Sequence, residues 1–424
     1  MKLCIGCGVC EYACNRDAIQ IRWENGSYKA HFDNTKCINC GACERVCPFN
    51  KKNILNLDRS NMLGNVVGWY IGISKTYQTT STSGGALTEL CKYLLNNKIV
   101  DSILCVGPST KKRYFQYQEV TTIDGLKKCA RSAYYPVSID SVKSIIEKAN
   151  GKKYAVVGLP CLCTGLRKLR ELQPKYKESI KYILGIVCSY TPNAEMITHI
   201  AKNVGIAVSE IDHLRFRDKS VGDLYGLSIC TSNGEIKKYL PNEWGLKDAF
   251  LSKNYILKAC LACNNIYAID ADAVFMDAWQ EGVSDTAGTS LAITRNKDVD
   301  LYVKNMEWTY NRADLSRAVQ AQDYGHLIDF KIEGSKYRRS KFGYDCSYKG
   351  VPLKEKAESW RLLIANNVLK EHMEKNTTFE HFRRKLTIET IVFVLIRKIC
   401  SLWSKVVYKE QIDENSYYYG LLRG

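Results

Sequence analysis

From about residue 66 to residue 190, short unbroken apolar runs alternate with stretches whose apolar residues recur every three or four positions. The first kind reads as buried strand and the second as helix. In order they predict a strand at Gly68-Trp69-Tyr70-Ile71-Gly72-Ile73, a helix from about Ala86 to Leu95, and a strand at Ser102-Ile103-Leu104-Cys105-Val106. A helix near 139–149, a strand at Tyr154-Ala155-Val156-Val157-Gly158, a helix around 163–172 and a strand at Tyr182-Ile183-Leu184-Gly185-Ile186-Val187 follow. Such alternation predicts an α/β domain with a mostly parallel sheet, because each helix returns the chain across the sheet. Residues 210–240 read as a β excursion, and Ala273-Val274-Phe275-Met276 as one more buried strand. Beyond about 355 the pattern is helical and basic. In the first 50 residues, Ala18-Ile19-Gln20-Ile21 and Tyr28-Lys29-Ala30 flank Asn25-Gly26, which predicts a short hairpin.

The length of 424 residues calls for two or three domains. With 46% hydrophobic and 25% charged residues, the chain is an ordinary globular one that can bury a large core. No run of 18 or more uncharged apolar residues occurs, so no membrane span is predicted. No apolar export stretch follows Met1-Lys2-Leu3-Cys4, and the reading is cytoplasmic. The net charge of +17 is uneven: residues 331–410 carry 18 Lys/Arg against nine Asp/Glu, whereas residues 1–50 carry six against five. A basic tail points to an anionic surface or an acidic partner rather than to nucleic acid. The apolar segment 388–398, followed by Trp403, Lys405 and Lys409, reads either as a helix docked on the core, the favoured reading, or as one lying on a membrane surface. Peripheral membrane contact at the inner face is therefore a second expectation for the tail.

Cysteine spacing changes the picture most. Of 19 cysteines, eight form two runs 33 residues apart: Cys4-x2-Cys7-x2-Cys10-x3-Cys14 and Cys37-x2-Cys40-x2-Cys43-x3-Cys47-Pro48. This is the run with which bacterial two-cluster ferredoxins hold 4Fe-4S clusters. Three close thiolates serve one cluster, and the fourth serves the other. The expected ligand sets are Cys4, Cys7, Cys10 and Cys47 for one cluster, and Cys37, Cys40, Cys43 and Cys14 for its neighbour. Zinc sites use paired elements rather than four-cysteine runs, and disulfides need an oxidising compartment. Asn15 replaces the proline expected after the first run, a departure that touches no ligand.

Seven of the other eleven cysteines are scattered and read as core residues. Cys161 and Cys188 instead follow the carboxyl ends of two predicted strands, where ligands gather in open α/β sheets. Cys260 and Cys263 form a Cys-x2-Cys ahead of the Ala273 strand. Four thiols without histidine suit a 4Fe-4S cluster or a structural zinc, and spacing alone leaves unrelated cysteines equally open. Ser83, Gly84 and Gly85, after Thr82 and before the Ala86 helix, are a candidate anion cradle, although the same pattern also makes a plain N-cap. Asp277 after the last strand is a candidate acid, with a turn cap as the favoured reading.

The order of these pieces resembles the beta-subunit family of coenzyme F-420 hydrogenases and dehydrogenases. The stretches that carry the resemblance are Ser83-Gly84-Gly85-Ala86, Ser132-Ala133-Tyr134, Val157-Gly158-Leu159-Pro160-Cys161, Gly165-Leu166-Arg167 and Gly185-Ile186-Val187-Cys188. Phe216-Arg217-Asp218-Lys219, Cys260-x2-Cys263 and Asp272 through Asp277-Ala278-Trp279 complete them. The resemblance implies FAD in the α/β domain, near Ser83, Gly84 and Gly85, beside a third 4Fe-4S cluster on Cys161, Cys188, Cys260 and Cys263. It departs at Ala133, where lysine is usual, at Gly222-Asp223, where Gly-Trp is usual, and at Met276, where a small residue is usual. These departures bear on binding of coenzyme F-420 itself.

The expected architecture is an α+β ferredoxin-like two-cluster unit (1–50), a linker (51–65), an α/β flavin-binding part (66–200), a second part with the Cys-x2-Cys (201–354) and a basic helical tail (355–424). The expected function is that of an iron-sulfur flavoprotein oxidoreductase. It passes electrons between ferredoxin, another redox partner or a deazaflavin and a small organic substrate. The alternative is a non-catalytic electron-transfer subunit of a larger redox complex.

Overall fold

The computed structural model describes residues 3–109, 113–148, 150–279, 287–312, 314–323 and 327–388, together with 391, 392 and 395. A hairpin joins β1 (Ile19–Glu24) to β2 (Ser27–Phe32) through Asn25-Gly26, as the turn dipeptide predicts. The large sheet takes β3 (Gly68–Ser74), β4 (Ser102–Pro108), β5 (Phe115–Val120), β6 (Tyr154–Gly158) and β7 (Ile180–Ile186). The excursion at 210–240 is a separate antiparallel sheet of β8 (Ile211–Phe216), β9 (Leu227–Thr231) and β10 (Ile236–Tyr239). The chain then returns with β11 (Ala273–Asp277), β12 (Ser290–Thr294) and β13 (Trp308–Arg312).

The large sheet runs β13-β3-β12-β11-β7-β6-β4-β5. Its centre is parallel, through β11–β7, β7–β6 and β6–β4. Both flanks are antiparallel, through β4–β5 on one side and β11–β12, β12–β3 and β3–β13 on the other. The expectation of a mostly parallel sheet therefore holds for the middle and is corrected at the edges. Only residues 109–114 separate β4 from β5, too few for the crossover that a parallel pair needs.

Helix Pro160–Leu172 joins the two halves of the molecule. It begins three residues before the sequence expectation, because proline is well accommodated in a first turn. Its buried Leu162, Leu166 and Leu169 share a core with Val9, Tyr12 and Val46 of the cysteine-rich unit. The Tyr12 hydroxyl donates to the Ile139 carbonyl at 2.6 Å, and Tyr176 donates to the Tyr12 carbonyl at 3.2 Å. The segment 51–65, read as a linker, is also held: Leu57 and Met62 are buried, and Asn264 and Arg295 donate to the carbonyls of Leu57 and Leu63.

The expected tail opens as helix Leu353–Lys375, and its Leu362, Ala365 and Leu369 are buried, so this part is docked rather than free. Among the described residues no helix is long and apolar enough to cross a membrane. Most of the 388–398 segment, with Trp403, Lys405 and Lys409, lies outside the described residues. At the docked face burial pushes Glu355 up to about 7, with the Asp329 carboxylate adding to it. Between about 4.5 and 7 the folded state keeps a proton that the unfolded chain has lost, so stability falls as pH rises through this window. Glu355→Gln should stabilise the protein at pH 8 by on the order of 3 kcal/mol, and by nothing near pH 4.5. Melting curves at the two pH values check this; a gain of equal size at both would contradict it.

Candidate functional site

Each cysteine run folds as a loop leading into a short helix, Val9–Ala13 and Ala42–Val46, entered through Gly8 and Gly41 at φ 91° and 72°. The left-handed turn lets the thiols before and inside each helix face the same way. Cys4, Cys7, Cys10 and Cys47 line one small cavity with Pro48 and Phe49. Burial first, then the fields of Cys47 and Cys4, push the Cys7 thiol up to about 12, while an amide N–H from Val9 works against this. Cys47 is pushed up to about 11 by burial, opposed by the amides of Phe49 and Asn50. Thiols so reluctant to ionise alone, yet met by amide donors, suit a cationic iron core. Cys43 feels Cys14, and Cys10 feels Cys43, so the second set adjoins the first. Cys37 and Cys40 stand on the outer loop, where Cys40 is exposed beside Ile38 at 59% exposure.

The structure brings Cys161, Cys188, Cys260 and Cys263 together from three distant segments. Cys161 is in the first turn of helix Pro160–Leu172, Cys188 follows β7, and Cys260 and Cys263 lie in and just after helix Lys258–Ala262. Burial raises the Cys161 thiol well above its ordinary value, and the fields of Cys263, Cys7, Cys188 and Cys260 add to this. Cys7 thus belongs to the inner N-terminal set and also neighbours this third one. Among the described residues, no three His, Cys, Asp or Glu side chains close around a point as a single metal ion would require. Four thiols in one another's electrostatic field, without histidine, suit a 4Fe-4S cluster or a structural zinc.

Sequence reasoning missed Lys331, which is 1% exposed and lies in the field of Cys263, Cys188 and Cys260. Burial opposes its charge, but Cys263, Cys188 and Cys260 outweigh that and raise its pKa. The one hint is a lysine set between Phe330 and Ile332. Behind it, the buried Arg338 and Arg339 donate to the carbonyls of Leu261 and Ala262 at 2.6 and 2.7 Å, which clamps the Cys-x2-Cys.

Cys188 also lines a cavity of about 950 Å³ over the carboxyl ends of the parallel strands. That volume is near the top of the range of about 300–1,000 Å³ for cofactor and ligand sites. One end is formed by Ser83, Gly85 and the first turn of helix Ala86–Asn96. Its N-cap, Gly85, has no side chain to accept from that turn, and the Ser290 hydroxyl reaches the Ala86 amide at 3.4 Å. Gly84 does not line the cavity: a Cβ there would lie 2.5 Å from the Ser290 nitrogen, so Gly84 serves close strand packing. Lys219 straps this rim by donating to the carbonyls of Gln78, Ser83 and Ala287. Tyr134 and Tyr190 both stack on Phe250, with ring centroids at 4.3 and 5.1 Å, and all three line the cavity with Cys188. The helix amides, the cations Arg131 and Lys253 and these flat rings suit a phosphate-bearing aromatic cofactor.

Among the described residues Asp277 caps no turn, which corrects the favoured reading. Its carboxylate accepts two hydrogen bonds from the Arg217 guanidinium, at 2.8 and 2.9 Å, inside the cavity. Arg217 is buried and lies 5.2 Å from the centre of the Trp279 ring. Burial opposes its charge, and Asp277 more than offsets this. The partners are 60 residues apart on β11 and just past β8, which periodicity cannot see. Of the three departures noted above, Ala133 and Met276 line the cavity and Gly222-Asp223 do not.

Comparison with known proteins adds the following. Two domain models of the coenzyme F420 hydrogenase/dehydrogenase beta subunit match, the amino-terminal one over residues 70–144 and the carboxyl-terminal one over residues 151–311. Residues 3–51 match the 4Fe-4S dicluster domain. A coenzyme F420-dependent sulfite reductase of Methanocaldococcus jannaschii is 25% identical over 264 residues, 59% of this chain and 37% of that protein. A coenzyme F420 hydrogenase beta subunit of Methanothermobacter thermautotrophicus is 23% identical over 167 residues, 37% of this chain and 59% of that one. The chain thus spans less than two thirds of either relative. A chain from the F420-reducing [NiFe] hydrogenase complex of Methanosarcina barkeri has a similar fold. Its TM-score is 0.50 at 17% identity, over 69% of this chain and 99% of that one.

Proposed function

The chain belongs to the coenzyme F420 hydrogenase/dehydrogenase beta-subunit family and carries a 4Fe-4S dicluster domain ahead of it, and from this we propose an iron-sulfur flavoprotein oxidoreductase. It exchanges electrons between ferredoxin or a deazaflavin and a small organic substrate. Clusters supply one-electron transfer, and a flavin supplies the exchange between one- and two-electron chemistry.

The observation that carries this reading is a continuous line of sulfur. The outer set (Cys14, Cys37, Cys40, Cys43) adjoins the inner set (Cys4, Cys7, Cys10, Cys47). Cys7 neighbours Cys161 of the third set, and Cys188 of that set opens into the cavity. The residues that would hold the groups are these twelve cysteines and, for FAD, Ser83, Gly85 and the first turn of the helix beyond them. Arg217 and Asp277 order the opposite wall. Two departures from the family pattern, Ala133 and Met276, line the cavity, so they bear on which deazaflavin or substrate it admits.

Anaerobic purification followed by iron, sulfide and flavin analysis tests the reading. About twelve irons with one flavin, from three 4Fe-4S sites, is the expected result. About eight irons without flavin would rule out the enzyme. A second reading, an electron-transfer subunit docked to a partner that holds the substrate site, is favoured by the exposed outer loop with Cys40, Ile38 and Phe32. A substrate that binds the isolated chain and is turned over by it decides for the enzyme.

Lys331 also makes a prediction on this reading. A cation against three of the four thiolates favours the more negative, reduced state of the third cluster. Lys331→Met should lower that cluster's potential, and Lys331→Arg should largely restore it. Potentiometric titration followed by electron paramagnetic resonance reads the shift. An unchanged third potential at full iron content would contradict the role.

A further inference from the structure

Three of the cysteines read as scattered core residues meet on one wall of the large cavity. Cys105 is on β4, Cys129 is the last residue of helix Ile123–Cys129, and Cys91 is on helix Ala86–Asn96. All three line the cavity. Cys129 Sγ lies against Gly107, two residues along β4 from Cys105, and the two thiols, with Cys91 beyond them, are near enough to act on one another's ionisation. The chain is shaped for this meeting. β5 runs back along β4, Thr122 caps the next helix by accepting from the Gly125 amide at 3.2 Å, and the helix ends over β4. Gly107, two residues after Cys105, lets both the Gln118 side chain and the second sulfur close in on β4, since a Cβ there would run into Gln118 Nε2 and sit 2.6 Å from Cys129 Sγ. Cysteines serving only as small core residues need neither touch nor face a cavity.

We propose that Cys105 and Cys129 are a redox-active dithiol that closes to an intramolecular disulfide by reducing a low-molecular-weight disulfide admitted to the cavity. Cys129 is the attacking sulfur. It is the more accessible of the two, and its neighbours Cys105 and Lys128 ease its ionisation against the cost of burial. Its thiolate attacks one sulfur of the small disulfide, breaks that bond and releases one thiolate, leaving a mixed disulfide on Cys129. Cys105 then loses its proton and attacks Cys129 Sγ, which forms the internal bond and expels the second thiolate. Two protein thiols are oxidised, one small disulfide is reduced to two thiols, and the two protons end on the leaving thiolates. The proposal does not rest on the flavin reading, because the wall and its thiols are the same whatever the cavity binds.

The test uses the full chain with its clusters, purified without oxygen. It is treated with oxidised glutathione in anoxic buffer, quenched with N-ethylmaleimide and mapped by peptide mass spectrometry. The expected result is loss of both Cys105 and Cys129 to alkylation and a linked peptide two hydrogens lighter than the pair. Cys105→Ser should stop at a glutathione adduct on Cys129, and Cys129→Ser should leave Cys105 unmodified. Full alkylation of both thiols in the unaltered chain would overturn the proposal. So would a preferred link to Cys91, or an adduct on Cys129 that persists while Cys105 is present. The unaltered chain decides the question even if a variant does not fold.

Discussion

Replacing Cys260 by serine should remove about four of about twelve irons and leave the eight of the N-terminal unit in place. Cys260 is buried, its sulfur accepts the Thr191 amide at 3.4 Å, and its neighbours in space are Cys188, Cys263 and Lys331. A serine hydroxyl is a hard, protonated donor and a poor ligand for iron. The N-terminal sets sit on their own two helices, and their geometry does not depend on residue 260. Iron analysis with electron paramagnetic resonance of the dithionite-reduced protein reads both halves of the prediction. Loss of the N-terminal signals with Cys260 would contradict the ligand assignment, and twelve retained irons would remove Cys260 from the ligands of the third cluster. Electrons from an external donor should still enter the variant but no longer reach the cavity.

The second large effect falls at the Arg217–Asp277 pair. Asp277→Ala leaves a guanidinium, 6% exposed, without its carboxylate, and leaving a buried charge unpaired costs about 3–5 kcal/mol. Arg217→Met removes the charge itself and leaves a carboxylate that is 20% exposed to the cavity, so it should cost less. The double variant should be more stable than the sum of the single losses predicts, because each single change strands the other partner. Urea unfolding of the four proteins reads the cycle, and additive losses would show that the pair is not coupled. Flavin content measured alongside should fall most in Asp277→Ala, where the freed guanidinium and the unanchored Trp279 disturb the cavity wall.

Strands, helices and the cysteine runs were legible because each is a local pattern. Local pattern predicted the hairpin at Asn25-Gly26, the central strands and a β excursion at 210–240, which the fold resolves into three strands. It did not predict β5, β12 or β13, which belong to the antiparallel flanks of the sheet. β5 and β13 interleave polar residues in a way that reads as loop until a neighbouring strand takes their backbone groups, and β12 offers an apolar run of only three residues. The strap at 51–65 and the docked helix from Leu353 were misjudged for a related reason. Polar sequence and basic charge describe the outward face, and burial of the other face depends on what lies beneath it.

The twelve cysteines divide along the same line. The first eight declare a chemistry through spacing alone, since a loop of Cys-x2-Cys-x2-Cys is held together by its own short chain. Cys161, Cys188 and the Cys260–Cys263 pair are separated by 27 and 72 residues, and only the packing of three segments puts their sulfurs in one field. The same packing buries Lys331 among them, pairs Arg217 with Asp277, and sets Cys105 against Cys129. The order of residues is enough to say that a 4Fe-4S dicluster domain stands near the amino terminus. That Cys7 of this domain neighbours Cys161, and that Cys188 lines a cavity, follows from the folding of the chain, because charge and sulfur act over distances in space, and a sequence records only distances along itself.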